Sequence, residues 1–490
     1  MPNLIRHLFG YLPVNLVAAL VAFGGVFVFT RLLGADEYGR YALALSTMHL
    51  MHTFTLTWVE AAGYRFNAEA EAKGGLPHHY RTALTLSMVS FLPAFLVLGI
   101  VWFMVSNAPE FRSVLPWLLI LMPVSTVANL AQQSHKAAQR IKRYSAVEIG
   151  RVLGGFIIGV GLAAFAGFGA AAPLAGMTVA FSIAGLTEGY WLWKGSRGGQ
   201  VSKSDARRYF AYGFPISAAL VLDLILSASD RFLIALFIDE AAVGAYAAGY
   251  GVADKTVLML CAWAAMAGSP LVMAAFEKDG KEAAEKAARS MAQSMILIAI
   301  PAAAGIALTA GPLAGVMIGE DLRAQARHII PWIAFAGLFN GMLIHYFSEA
   351  FQLAHKTAER ALIMLIPAGL NIVLNIILLP RLGLMGAVYA TVGCYFAAVV
   401  LLALLGRRHV ALPVPLADLG KVIIACAAMA GVVNLIPDLS IDLIELVLKA
   451  GFGAVAYAFC VASLDAAGAR GMALKLIDKV RSRLKGGQAA

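Results

Sequence analysis

This 490-residue sequence has little charge. Asp, Glu, Lys and Arg together make up 13% of it, against 60% hydrophobic residues. A water-soluble domain carries roughly 25% charged residues, so too few polar side chains are present to cover a water-facing surface, and a soluble fold is excluded. Cysteine is far scarcer, at four residues. Cys261, Cys394, Cys426 and Cys460 all fall inside apolar runs with no close pairing, which argues against a disulfide framework or a metal site and leaves packing thiols. The sequence also lacks a glycine-rich phosphate loop followed by lysine, a metal-spaced histidine set and a nucleophile elbow. Nothing in it points to ATP hydrolysis, a metal, a cofactor or an enzyme.

What the chain has instead is long apolar runs. A bilayer-spanning helix needs about 20 mostly apolar residues, whereas a barrel strand needs about ten in an alternating pattern. Fourteen runs of helical length stand near 9–33, 39–64, 82–106, 114–134, 145–168, 172–193, 209–236, 242–275, 290–310, 329–351, 361–379, 384–405, 419–436 and 444–464. This predicts an all-α polytopic membrane protein. The run at 242–275 is long enough to be tilted, or broken at Ser269-Pro270. Arg6 precedes a first run without a small-residue cleavage site, which reads as a retained helix.

Lysine and arginine set the orientation. With the N-terminus inside, twenty-six of them fall in inside segments and five (Arg40, Arg112, Arg323, Arg327, Arg381) outside. Both termini are therefore expected in the cytoplasm. The same asymmetry accounts for the net charge of +10 without nucleic acid as a partner; the basic tail "KLIDKVRSRLKGG" suits anionic membrane lipid.

The chain also repeats itself. "TRLLGADEYGRYALA" after the first run matches "SDRFLIALFIDEAAVGAYAAG" in order: Arg31 and Arg231, then Asp36-Glu37 and Asp239-Glu240, then Gly-x-Tyr-Ala from Gly39 and from Gly244. "HKAAQR" from His135 matches "HKTAER" from His355, and "GFGAAAPLAG" loosely matches "RLGLMGAVYA". The expected organisation is two parallel six-helix bundles, 1–200 and 201–410, two added helices in 411–465 and a basic tail, 466–490. The glycine-, serine- and charge-rich stretch 194–208 reads as a hinge between the bundles. Parallel repeats are one transporter plan, with the substrate site where the repeats meet.

Three stretches resemble the polysaccharide-biosynthesis flippases of bacteria, the Wzx type within the MATE-like exporter superfamily. They are "RLLGADEYGRYALA", "SASDRFLIALFIDEAAVGAYAAGY" and "LNIILLPRLGLMGAVYATVGCY". The resemblance implies an inner-membrane flippase that moves a polyprenyl-diphosphate-linked oligosaccharide from the cytoplasmic to the periplasmic leaflet by alternating access. Pathway partners would be a glycan polymerase and glycosyltransferases; the chain itself is expected to be a monomer. Open beside this stand a flippase for the peptidoglycan lipid precursor and a MATE-like small-molecule or cation exporter, which would favour an acidic cavity. From another class, a membrane-embedded glycan polymerase or ligase would carry a large periplasmic loop, and the longest outside loop here is about 311–328.

Ionisable residues inside apolar runs normally face a bundle interior or water. The candidates to bind an anionic substrate are Arg31, Arg151, Arg231 and Lys255, since guanidinium recognises phosphate through paired hydrogen bonds. Candidates for ion coupling or charge pairing are Glu60, Glu148, Asp223, Asp230, Asp254 and Glu349. Asp223, Ser227 and Asp230 form an i, i+4, i+7 polar stripe, and Asn371 and Asn375 an i, i+4 pair. Each has a plainer reading. Arg31 and Arg231 can be anchors whose side chains snorkel to the interface. Glu148 and Arg151, at i, i+3, can simply satisfy each other. Glu188 reads as structural, and His135 and His355 as residues of basic inside loops.

Overall fold

The computed structural model describes residues 2–104 and 113–471. Arg112 and the tail beyond residue 471 lie outside the described residues. Those described form seventeen α-helices and no strand, as bilayer physics demands: a helix satisfies its own backbone groups where water cannot. Twelve of the helical spans are long and apolar enough to cross a membrane. The run read at 39–64 is not one helix, and that at 209–236 lies within a longer helix carrying Asp223, Asp230 and Arg231; neither is among the twelve.

The chain divides into two compact units, Met1–Ala248 with Asn375–Leu384, and Gly249–Leu374 with Met385–Ala490. The first holds α1 (Pro2–Leu32), α2 (Ala35–Thr55), α3 (Thr57–Ala72), α4 (Leu76–Met104), α5 (Leu115–Ala137), α6 (Ile141–Phe165), α7 (Ala172–Gly195) and α8 (Lys203–Phe237). Helix α9 (Glu240–Asp279) starts in this unit and continues into the second at Gly249. The second unit holds the rest of α9, then α10 (Lys281–Leu308), α11 (Ala310–Met317), α12 (Glu320–Met342) and α13 (Glu349–Leu353). It also holds α14 (Thr357–Leu382) up to Leu374, then α15 (Leu384–Gly406), α16 (Leu416–Asn434) and α17 (Asp442–Leu464).

Four expectations change here. Helix α9 runs unbroken for 40 residues with Pro270 inside it, so the proline does not split the span; neighbouring packing in a membrane bundle tolerates the lost amide donor. The stretch 311–328, expected as an outside loop, is itself largely helical, in α11 and the start of α12. The stretch 194–208 is a strap, not a free hinge. A Cβ on Gly199 would stand 2.1 Å from the Pro77 carbonyl oxygen, and the Ser202 amide donates to Thr82 Oγ1 at 3.1 Å. Arg208 then clamps Glu69 with two bonds, and Tyr209 stacks on Phe66 at 5.1 Å. Hydrogen bonds from Arg208 and Lys73 hold the Glu69 carboxyl down at about 2, so the clamp stays charged throughout the cellular pH range.

The fourth change concerns the repeat. Gly39 is the fifth residue of α2 and Gly244 the fifth of α9, so the Gly-x-Tyr-Ala motifs are in true register. They also meet: a Cβ on Gly39 would stand 1.8 Å from the Glu240 carbonyl oxygen and 3.2 Å from the Gly244 nitrogen. Arg40 Nε reaches Glu240 Oε2 across the crossing at 3.0 Å. Arg31, however, is one residue from the end of its helix while Arg231 is six from the end of α8. That is more than one turn, so the two arginines are not at equivalent points. The histidine motifs slip as well. The left-handed turn residues are Gln139 and His355 (φ 53° and 57°), and the bonds that close the helix ends run from Arg140 N to His135 O and from Lys356 N to Phe351 O. His135 thus lies in the last turn of α5 and His355 in a turn.

Lipid gives helices no hydrophobic reason to associate, so small residues that allow close approach carry the packing. At the α6–α7 crossing, a Cβ on Gly176 would stand 2.3 Å from the Gly159 nitrogen. Elsewhere in this unit Trp58, Phe66, Tyr80, Leu130 and Tyr209 form an aromatic-rich core.

Candidate functional site

One polar network in the first unit gathers residues from four helices. It begins at the break between α2 and α3. Leu56 leaves helical geometry (φ −123°) while its amide still bonds His52 O at 2.9 Å, and the chain turns. In a continuous helix, residues eight apart are separated by roughly 12 Å along the axis. The turn instead brings Glu60 Oε1 to 2.9 Å from His52 Nε2.

From His52 the network passes to α5, where Asn129 Nδ2 lies 3.5 Å from His52 Nε2. Arg151 Nη1 of α6 donates to Asn129 Oδ1 at 2.7 Å. The same guanidinium holds Glu148 through Nε at 2.7 Å and Nη2 at 2.6 Å. Gln132 Nε2 closes the cluster on the Glu148 carboxylate (3.2 Å) and the Tyr144 carbonyl (3.0 Å). Lys136 Nζ lies 4.9 Å from the Tyr144 ring centroid, and Arg151 packs over Phe181. Two carboxylates thus face a guanidinium and an ammonium, and protonation of His52 sets the net charge.

The side chains of Glu60, Arg151, His52 and Glu148 are 10%, 11%, 14% and 16% exposed. Arg151 spends its fork on one carboxylate oxygen and one amide oxygen, both of which a phosphate group can replace in kind.

A second cluster buries its histidine and carboxylate while Arg143 stays exposed. His135 Nε2 meets Glu188 Oε2 at 2.8 Å and Arg143 Nε meets Glu188 Oε1 at 3.1 Å, with the histidine and carboxylate side chains 0% and 3% exposed. Trp191 lies against the imidazole, with the Arg140 and Arg143 guanidinium groups over its ring. His135 is therefore a buried helix residue, not a loop residue; the basic motif around it masked a partner 53 positions away in sequence. Removing one member of a buried ion pair costs about 3–5 kcal/mol. Glu188→Ala is expected to lower the amount of folded protein in the membrane while leaving activity per molecule unchanged. Quantitative membrane blots alongside a transport assay test this.

The other predicted residues lie elsewhere. Asp230 is buried and accepts from the Tyr246 hydroxyl and from Asn375 Nδ2, both at 2.7 Å. Its stripe partner Asp223 is half-buried on α8. Arg31 is exposed and turned back on its own helix, bonding Phe27 O at 2.7 Å and covering the Phe27 ring. Arg231 is half-buried, with Nη1 3.5 Å from Ser227 O. In the second unit, buried Asp254 accepts from Asn340 Nδ2 at 3.3 Å, Glu349 accepts from Ser269 Oγ at 2.6 Å, and Lys255 is exposed. The structure brings Glu60, Glu148 and Arg151 together. His52, Asn129 and Gln132, which complete their network, escaped the sequence reading, although Asn129 and Gln132 stand at i, i+3 in an apolar run.

Residues 28–325 match the family model described as "Polysaccharide biosynthesis protein". No curated protein matches the chain. Among solved structures, it is similar to "Lipid II flippase MurJ, inward closed conformation" at 13% identity, with a TM-score of 0.71, covering 92% of this chain and 98% of that one. It is also similar to an inward-facing multidrug resistance MATE family transporter of the MOP superfamily, at 15% identity and a TM-score of 0.62, covering 80% of this chain and 93% of that one. At these identities the likeness shows the fold alone: an all-helical architecture like that of the MATE and MurJ structures.

Proposed function

The chain belongs to the polysaccharide biosynthesis protein family, and we propose that it is a flippase for polyprenyl-diphosphate-linked oligosaccharide, moving the glycan from the cytoplasmic to the periplasmic leaflet by alternating access. The observation that carries this reading is the family match over residues 28–325. The network around Arg151 supports it, because an anionic head needs a cation that can trade its partners. In this reading Arg151 holds the diphosphate, exchanging Glu148 and Asn129 for phosphate oxygens. His52, held against Glu60 at 2.9 Å, stands beside it as an imidazole that can take or release a proton as the head group arrives. Arg31, Arg231 and Lys255 are auxiliary contacts along the path, and Asp223, Asp230, Asp254 and Glu349 polar residues of coupling or packing. The protein acts as a monomeric transporter without enzyme activity, supplied by glycosyltransferases and followed by a glycan polymerase. Deleting its gene in the native host should stop surface glycan and accumulate the lipid-linked unit inside; unchanged surface glycan would refute the reading.

The reading also places the protein in a bacterial inner membrane with both termini in the cytoplasm, from the lysine and arginine asymmetry. In a background without the four native cysteines, Lys203→Cys should react with an impermeant maleimide only after the cytoplasmic face is opened. Labelling from the periplasm of intact cells would invert the topology.

A further inference from the structure

Helix α4 presents Arg81, Leu84, Thr85 and Met88 at i, i+3, i+4 and i+7, a single face. Facing them are Val127 of α5 and Gly189 and Trp193 of α7, and together these residues line a cleft of about 350 Å³. All three helices are apolar enough to span a membrane. Met88 is 51% and Trp193 44% exposed, so the cleft opens outward from the bundle, where the surrounding phase is lipid.

The walls are apolar and the single ionisable group is Arg81. It lies at the end of the cleft where α4 begins and α7 ends, since Gly195 sits against the Tyr80 ring. There the Arg197 guanidinium lies 4.1 Å from the Trp193 ring centroid, with Lys194 beside it. Among the described residues, neither Arg81, Lys194 nor Arg197 pairs with a carboxylate. Gly189 gives the cleft a floor without a side chain.

A chain-wide apolar slot ending in unneutralised cations matches one chemistry. We propose that the cleft binds an anionic phospholipid, with an acyl chain along Leu84, Met88 and Val127 over Gly189 and the phosphate held by Arg81 and Arg197. A neutral lipid would leave the cations unmatched. The site is separate from the Arg151 network and does not depend on the flippase reading.

The test is native mass spectrometry of the full chain with equimolar phosphatidylglycerol and phosphatidylethanolamine. Phosphatidylglycerol adducts should exceed the zwitterionic ones about fivefold, the ratio one basic residue at a membrane surface supplies. Arg81→Gln should roughly halve that ratio, since Arg197 still faces the phosphate, and Met88→Trp, which fills the slot, should reduce both adducts. Lys203→Gln, basic but outside the cleft, should change nothing. Both key positions are exposed, and thermal unfolding reports whether each variant is folded. As a second readout, brominated phosphatidylglycerol should quench the fluorescence that is lost in Trp193→Phe. An unchanged ratio in Arg81→Gln, or an equal fall in Lys203→Gln, would overturn the site. Displacement of phosphatidylglycerol by equimolar polyprenyl phosphate would overturn the phospholipid assignment and give the cleft to the carrier.

Discussion

Arg151→Ala should cut glycan export by about tenfold or more, because charge-assisted hydrogen bonds are worth about 1.5–3 kcal/mol each and a phosphate head would lose at least one. The single variant also leaves Glu148 without the guanidinium that now holds it at 2.6 Å, which by itself lowers stability. A paired variant separates the two effects. Arg151→Met with Glu148→Gln removes both charges and keeps the volume, so folded protein should return to near the wild-type amount. If Arg151 binds substrate, export stays lost; if it serves only to neutralise Glu148, export returns with abundance. Arg151→Lys should rescue in part, since lysine keeps the charge but loses the planar fork. Flux per molecule of membrane-inserted protein is the measurement.

Gly39→Ala is expected to damage the fold more than any other single methyl in the first unit. The added carbon would stand 1.8 Å from a backbone carbonyl oxygen and within 2.7 Å of its carbon, and no rotamer moves a backbone. Helix α2 must shift off the start of α9, breaking the Arg40–Glu240 pair at 3.0 Å. Overpacking a close-packed site costs about 1–3 kcal/mol even where side chains can adjust, so the cost here should exceed that range. Gly161→Ala is the control: nothing lies within 4 Å of its Cβ, and alanine in a helix interior stabilises by about 0.5–1 kcal/mol. Thermal unfolding in detergent should show a large fall for the first and no fall for the second.

The class of the fold was legible because bilayer length sets helix length, and the apolar runs are long. The Gly-x-Tyr-Ala repeat was legible for a local reason: both motifs begin helices, so position within the helix preserves register. Arg31 and Arg231 misled because, although both loops are two residues long, the arginines lie at different depths in the helices that precede them, and a motif match with a gap absorbs such a difference without showing it. The candidate site was half legible. Glu60, Glu148 and Arg151 stand out as charges in apolar runs, whereas joining them needed the break at Leu56, a leucine with no glycine or proline to announce it. His135 was misread because a basic turn follows it directly, and its partner Glu188 comes from another helix.

Transport by the purified chain tests the central claim most directly. The protein would be reconstituted into liposomes with a fluorescent polyprenyl-diphosphate-linked oligosaccharide, and an impermeant reagent that bleaches only the outer leaflet would be added. The account predicts that nearly all label becomes accessible with the wild-type chain, and only the outer-leaflet half with Arg151→Met/Glu148→Gln or without protein. Equal accessibility in all three preparations would contradict it.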